Sequence, residues 1–412
     1  GELYVSVKNS RPTILANLNF SNGKIDDIIF NNLELQASFR ENRLTFSDVD
    51  INTHIGHMKF NGWFTTTGDN YTFSENDYIN LSGNFDRFEI SYFKRYFPWE
   101  QKTSGLLSGN FNINGNVTSP KIELYPYIQN PIFDKIVAEN ISGTLIYKND
   151  RLYIKGLNLK TQWGTYTGTG SIPANLNFVE MADLNIMDKP LDFIFTGKSN
   201  SIEFLLPYID NVEAINGEFT MQLGLSGTLR NPIRGGQISL QNAKLELLQL
   251  DNNIESLSGV AKINNNKLVI KKLSGKLDKS ESNENSLTKT IQSIKHYFTG
   301  SQFDDNKDNL FINGTLDLTE FFNPEYTITI DANDIYINST YGQLEGRGDA
   351  EIFITGKDTL QIIGKFTPAP NNFKLFSFGD KYKIEMSQNK NLKIINYDIH
   401  IPLQEGIEID TD

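Results

Sequence analysis

The chain has 412 residues, with 38 Lys and Arg against 50 Asp and Glu, a net charge of −12, and no cysteine. This balance argues against a nucleic-acid binder, which needs a basic patch to follow phosphates. The lack of Cys excludes disulfides, thiolate catalysis and Cys-ligated zinc. The 38% hydrophobic content is too high for wholesale disorder, and no uninterrupted apolar run is long enough for a membrane-spanning helix.

From the first residues onward the chain alternates apolar and polar positions, the period of a half-buried strand. Leu3, Val5 and Val7 alternate with Tyr4 and Ser6, and Leu33, Leu35, Ala37 and Phe39 with Glu34, Gln36 and Ser38. Leu44 and Phe46 follow, then Phe111 and Ile113, then Ile141. Leu145/Tyr147 and Leu152/Ile154 flank a turn at Lys148-Asn149-Asp150-Arg151. Leu223/Leu225, Leu268/Ile270 and Ile352/Ile354 continue the pattern toward the C-terminus. Breaks rich in Asn and Gly, such as Ser21-Asn22-Gly23 and Asn264-Asn265-Asn266, supply the φ > 0 positions that hairpin turns require. A strand every ~8–12 residues implies roughly 30–40 strands and an all-β chain.

The pattern is also repeated. Moving residues 1–62 forward by 108 places Gly1 on Gly109, Pro12 on Pro120, Arg43-Leu44 on Arg151-Leu152 and Gly62 on Gly170, with no gap. A third copy, with small gaps, moves Gly105, Gly115 and Pro120 onto Gly217, Gly227 and Pro232, and Leu152 and Ile154 onto Leu268 and Ile270. A fourth begins at Gly346 and Gly356. The expected organisation is 1–104, 105–216, 217–345 with an insertion at 278–309, and 346–412 as the start of a fourth copy. The chain is expected to be a piece of a longer protein.

Two kinds of segment interrupt the strands. Short helical turns before proline are expected at Phe88–Phe97, Ile202–Leu206 and Leu318–Phe322. Inside the insertion, Leu287, Ile291, Ile294 and Phe298 fall on one helical face, predicting an amphipathic helix over 286–299.

Catalytic motifs are weak. His54 and His57, three apart on one predicted strand, should point to opposite faces, which argues for polar strand positions over a metal site. Asp304, Asn306 and Asp308 have the spacing of a calcium loop without its glycine or terminal glutamate. Gly168-Thr169-Gly170 and Gly346-Arg347-Gly348 lack the third glycine of a dinucleotide site and read as strand glycines. No metal or cofactor is expected. An enzymatic alternative is a carboxylate-pair glycoside hydrolase on a repetitive β scaffold.

Alternation leaves one sheet face apolar, and at about 25 cal/mol per Å² that face requires cover. A closed sandwich supplies it with its own core. A sheet curled into a trough supplies it in part and leaves a path that acyl chains can fill without hydrogen bonds.

The order Gly105…Phe111-Asn112-Ile113-Asn114-Gly115…Pro120 recurs at Gly217…Leu223-Gly224-Leu225-Ser226-Gly227…Pro232. The latter runs on through Gly235-Gly236-Gln237-Ile238-Ser239-Leu240-Gln241-Asn242-Ala243. This resembles the TamB branch of the AsmA-like (bridge-like lipid transfer) envelope proteins of diderm bacteria. The resemblance covers most of the chain and is strongest at 105–275. It implies an elongated β-sheet rolled into a taco-like apolar groove, anchored at the inner membrane by a segment outside this sequence and crossing the periplasm. It implies a non-enzymatic conduit moving phospholipid acyl chains, with an outer-membrane barrel partner reached through other regions. The inward positions named above would then line the groove. The alternative is a structural β-repeat protein of the envelope with a closed core and no lipid.

Overall fold

The computed structural model describes residues 1–8, 11–25, 28–68, 72–96, 102–179, 186–208, 212–247, 253–277, 308–320, 323–338, 344–357, 359–376, 393–400 and 408–410. The predicted insertion helix, and Asp304 and Asn306, lie outside them.

The chain is all-β. Its strands are β1 Glu2–Lys8, β2 Arg11–Ile25, β3 Ile28–Arg40, β4 Arg43–Thr53, β5 Gly56–Thr65 and β6 Tyr78–Glu89. They continue with β7 Thr103–Asn116, β8 Lys121–Phe133, β9 Ile136–Val137, β10 Asn140–Lys148, β11 Arg151–Lys160, β12 Gly164–Pro173 and β13 Asp192–Ser199. Next come β14 Val212–Gly227, β15 Pro232–Leu247, β16 Asn253–Asn264, β17 Lys267–Leu277, β18 Leu310–Asp317, β19 Glu325–Asn338, β20 Leu344–Gly356 and β21 Thr359–Phe376. β22 Lys393–His400 and β23 Glu408–Asp410 pair with β21 in parallel. The strands are fewer than the sequence spacing implies because many run for 10–16 residues, about twice the usual length.

The chain forms two compact units, Gly1–Gly197 with Gly224–Ile233, and Lys198–Leu223 with Arg234–Asp412. Their limits differ from those of the sequence repeat. In each unit the strands before β22 pair antiparallel, and the sheet is open rather than closed into a barrel.

The repeat is visible in backbone detail. The β3–β4, β10–β11 and β16–β17 hairpins turn at Glu41-Asn42, Asn149-Asp150 and Asn265-Asn266, with both central residues at φ between 48° and 66°. This is the primed turn whose twist matches that of the strands. Asn22, Asn130 and Asn242 take positive φ inside β2, β8 and β15. Ser21-Asn22-Gly23 is therefore a kink within a strand, whereas Asn265-Asn266 makes a turn. A bulge follows Phe46, Ile154 and Ile270, so that Val49, Leu157 and Leu273 are the next residues in register with the adjoining strand.

The expected helical turns form at two of three places, as 3-10 segments Ile90–Tyr96 and Glu203–Tyr208. At Leu318–Phe322 the described residues form no helix: Thr319 and Glu320 bend, and the Thr319 amide donates to Asp317 Oδ1 at 2.9 Å.

Candidate functional site: an apolar sheet face

Residues opposite one another in an antiparallel sheet share a face. In the first unit the register strings apolar side chains into ladders across the strands. One runs Leu18, Leu35, Val49, Phe60, Gly83, Phe111, Leu124, Leu145, Ile154 and Gly170. A second runs Leu3, Ala16, Ala37, Phe46, Gly62, Leu81, Ile113, Ile122, Tyr147, Leu152 and Ile172. Phe39 and Leu44 pair beside it, and Leu33 and Ile141 belong to neighbouring rows.

The second unit repeats the arrangement. Ile238, Ala261, Ile270, Gly314, Ile328, Ile354 and Ile362 form one ladder, and Leu240, Gly259, Leu273, Ile312, Ile330, Ile352 and Gly364 another. Leu268 sits in a third, between Ile263 and Leu316. Leu223 lies against Gly236 of β15, in register with that third ladder. Leu225, which falls in the first unit, is half-buried.

The opposite face is polar. Asn19, Glu34, Asp50, Lys59, Asn84, Asn110 and Tyr125 make one of its ladders. Asp50 accepts from His57 Nε2 at 2.6 Å and pairs with Lys59 Nζ at 2.5 Å. Burial pushes the Asp50 carboxyl up, but these two partners outweigh it and hold the carboxyl below the usual carboxylate range. His57 is thus a polar-face residue. His54 occupies the β4–β5 turn, not a strand, with Nδ1 3.1 Å from the Ile29 carbonyl.

Glycine interrupts the apolar ladders next to large rings. Gly62 faces Phe46 at φ 135°, and a Cβ there would collide with the Asn80 carbonyl. Gly83 lies between Phe60 and Phe111, and a Cβ would strike the Lys59 carbonyl. Both positions let strands approach beneath aromatic side chains.

Connections between strands cover the ends of this face. After β5, Phe73 packs its ring edge-on 5.2 Å from Phe64, and after β12, Phe178 packs tilted with its centroid 6.3 Å from that of Phe73. The Phe178 amide donates to the Val117 carbonyl at 3.0 Å. Asp77 braces the first connection, its carboxylate accepting from the amides of Thr67 (2.9 and 3.1 Å) and Ser74 (2.7 Å). In the second unit, Ile202 and, from the 3-10 segment after it, Phe204 and Leu206 pack in one cluster with Ile215, Ala243, Leu257 and Phe366.

Between these covers much of the face is half-buried, including Leu33, Leu35, Phe39, Leu44, Phe46, Phe111, Leu145, Leu152, Ile154, Ile270 and Ile352, while Val49 and Ile122 of the same ladders are buried, 2% and 8% exposed. One predicted lining residue differs. Tyr147 is 1% exposed, because the connection after β12 crosses it and the Leu176 amide donates to its hydroxyl oxygen at 3.0 Å. It belongs to the packed floor beneath that connection, not to an accessible lining. Sequence reasoning missed Phe73 and Phe178, which lie outside the strands.

Gly168, Gly170, Gly346 and Gly348 are strand residues, in β12 and β20. Asp308 accepts from Ser274 Oγ at 2.5 Å. Among the described residues no three His, Asp or Glu side chains are grouped to hold a metal ion, and no helix is long and apolar enough to cross a membrane. No family model matches the chain, and neither a curated protein nor a solved structure matches it.

Proposed function

We propose that this chain is a segment of a lipid-transfer protein of the TamB/AsmA-like kind, carrying phospholipid acyl chains along the apolar sheet face across the periplasm of a diderm bacterium. The observation that carries this reading is the half-burial of most side chains in apolar ladders that run across the strands. A dry core would bury Leu35, Phe111, Leu145 and Ile154 as fully as Tyr147. Leaving such side chains part-wet costs about 25 cal/mol per Å², a cost an acyl chain laid on the face removes. Hydrocarbon needs no hydrogen-bonding partner there, and an aliphatic and aromatic floor supplies none. In this reading the chain works by binding and guidance, not by a chemical step, and an outer-membrane barrel partner would be met by other regions.

The test is extraction and mass spectrometry of lipid from the purified protein. Phospholipid retained through purification supports the conduit. Protein that is folded, lipid-free and unable to take lipid from vesicles returns the face to a purely structural role.

A further inference from the structure

The connection after β12 runs back over strands that precede it. The amide of Ala174 donates to the Asp150 carbonyl at 3.1 Å, that of Leu176 to the Tyr147 hydroxyl oxygen at 3.0 Å, and that of Phe178 to the Val117 carbonyl at 3.0 Å. These contacts step from the β10–β11 turn, through β10, to the β7–β8 turn. The Phe178 ring then meets Phe73 of the connection after β5. Residues Pro173–Val179 thus form a strap over one end of the strands.

Under the strap the second apolar ladder of the first unit changes. Ile122 and Tyr147 are buried, while Leu81, Ile113, Leu152 and Ile172 around them in the same ladder are half-buried. Val117, whose carbonyl holds Phe178, is fully buried. The floor beneath the strap is therefore a continuation of the aliphatic and aromatic surface on either side, with a length of backbone laid on it.

The strap holds its own shape. Asn175 Oδ1 accepts from the Asn177 amide at 3.1 Å, and Asn177 Oδ1 accepts from the Val179 amide at 2.8 Å, so its turns are closed by its own side chains. Leu176 and Val179 are 42% and 36% exposed, so these two apolar side chains engage the floor only in part. If the strap lifts, the amides of Ala174, Leu176 and Phe178 meet water. The Tyr147 hydroxyl keeps an acceptor, Asp150 Oδ1, at 3.3 Å. Lifting thus exchanges hydrogen-bond partners and leaves one main cost, the wetting of an apolar floor.

We propose that Pro173–Val179 is a flap over a second acyl-chain site whose floor is Ile122 and Tyr147, with Val117 at its edge. Shut, as in this structure, the flap keeps that floor dry without lipid. Lifted, it gives an acyl chain a floor continuous with Ile113 and Leu152. A hydrocarbon tail covers the wetted surface, and only the lifted state offers that contact, so lipid shifts the strap toward opening. This inference rests on the lipid-conduit reading and adds a gated site to it.

The experiment measures amide exchange across 174–179 and bound phospholipid on the same samples of the whole chain. Vesicles of phosphatidylethanolamine and phosphatidylglycerol supply the lipid. Exchange across the strap is expected to rise at least about fivefold when lipid is bound. The chain has no cysteine, so one introduced pair can be bridged without competing thiols. In Phe73→Cys/Phe178→Cys, a short bismaleimide ties the far end of the strap to the connection after β5. Bridging should abolish the rise in exchange and lower the lipid bound per chain relative to the same protein unbridged. Tyr147→Phe removes the acceptor of Leu176 and should speed exchange there about two- to tenfold without lipid, and speed lipid uptake with it. That variant keeps the test independent of the cysteine pair. Lipid bound with strap exchange unchanged or slowed, or equal lipid on bridged and unbridged protein, overturns the flap and leaves the conduit standing. No lipid bound by the folded, unbridged chain removes the conduit reading and the flap with it.

Discussion

The Tyr147 hydroxyl oxygen accepts the amide hydrogen bond of Leu176 at 3.0 Å, tying the connection after β12 down onto the middle of an apolar ladder. Tyr147 stands between Ile122 and Leu152 in that ladder, and burial raises its hydroxyl pKa above the ordinary phenol value. Tyr147→Phe keeps the ring and leaves the Leu176 amide without its acceptor, a loss of about 1–2 kcal/mol. Tyr147→Ala adds a cavity and should cost about 3–5 kcal/mol. Urea denaturation measures both, and faster amide exchange at Leu176 in Tyr147→Phe would locate the effect.

Charge on the apolar face should behave differently at covered and uncovered positions. Leu145 and Leu152 are half-buried, so Leu145→Asp and Leu152→Asp can hydrate their carboxylates and are expected to stay folded while repelling acyl chains. Tyr147→Asp buries an unpaired charge, costs several kcal/mol and should unfold the surrounding strands. Thermal unfolding and bound lipid, measured together, separate the two cases. Unfolding by all three variants would mark the face as a closed core.

Asp77 makes the first connection acid-sensitive. Burial pushes its carboxyl up, but hydrogen bonds from the Thr67 and Ser74 amides outweigh that and hold it below the usual carboxylate value. A depressed pKa gives stability that is fully present above the unfolded value near ~4 and lost as pH falls through the lower folded value. Asp77→Ala should therefore cost about 1–3 kcal/mol at neutral pH and less under acid. Denaturation of both proteins from neutral pH downward tests this, and parallel curves would contradict it.

The primed turns give a backbone prediction. Asn149 and Asp150 have φ of 51° and 55°, which a β-branched residue resists. Asn149→Val and Asp150→Val should each destabilise by about 1–2 kcal/mol, while Asn149→Gly should be close to neutral. Chemical denaturation of the three variants reads the order directly.

Much of this architecture is legible in alternation and in the repeat. The hairpin at Lys148–Arg151 and the shared face of Leu33, Leu35, Phe39, Leu44 and Phe46 follow from a period of two. The period fails at the bulges. Phe46 and Val49 share a face across an odd interval because Ser47 and Asp48 form the extra step, and the same holds for Ile154 with Leu157 and Ile270 with Leu273. Strict alternation assigns Val49, Leu157 and Leu273 to the wrong face. The burial of Tyr147 is invisible in its own strand, since the residues that cover it begin some 29 positions later, at Leu176. The short alternation at Ala174, Leu176 and Phe178 does not mark a strand, and the roles of Phe73 and Phe178 come from where irregular connections pack their rings together. At Leu318–Phe322 the apolar pattern before Pro324 resembles the two 3-10 segments, but Asp317 caps the chain into a bend instead.

The central claim is that lipid travels on one face of the sheet and not the other. The most direct measurement places a photo-crosslinking residue at single positions in living cells and identifies lipid adducts by mass spectrometry. Leu35, Leu145 and Leu273 sample the apolar face, and Asn84, Asn112 and Thr329 the polar one. The account predicts phospholipid adducts at the first three and none at the others. Equal labelling of the two faces, or no lipid adduct at Leu35, Leu145 and Leu273, would contradict it.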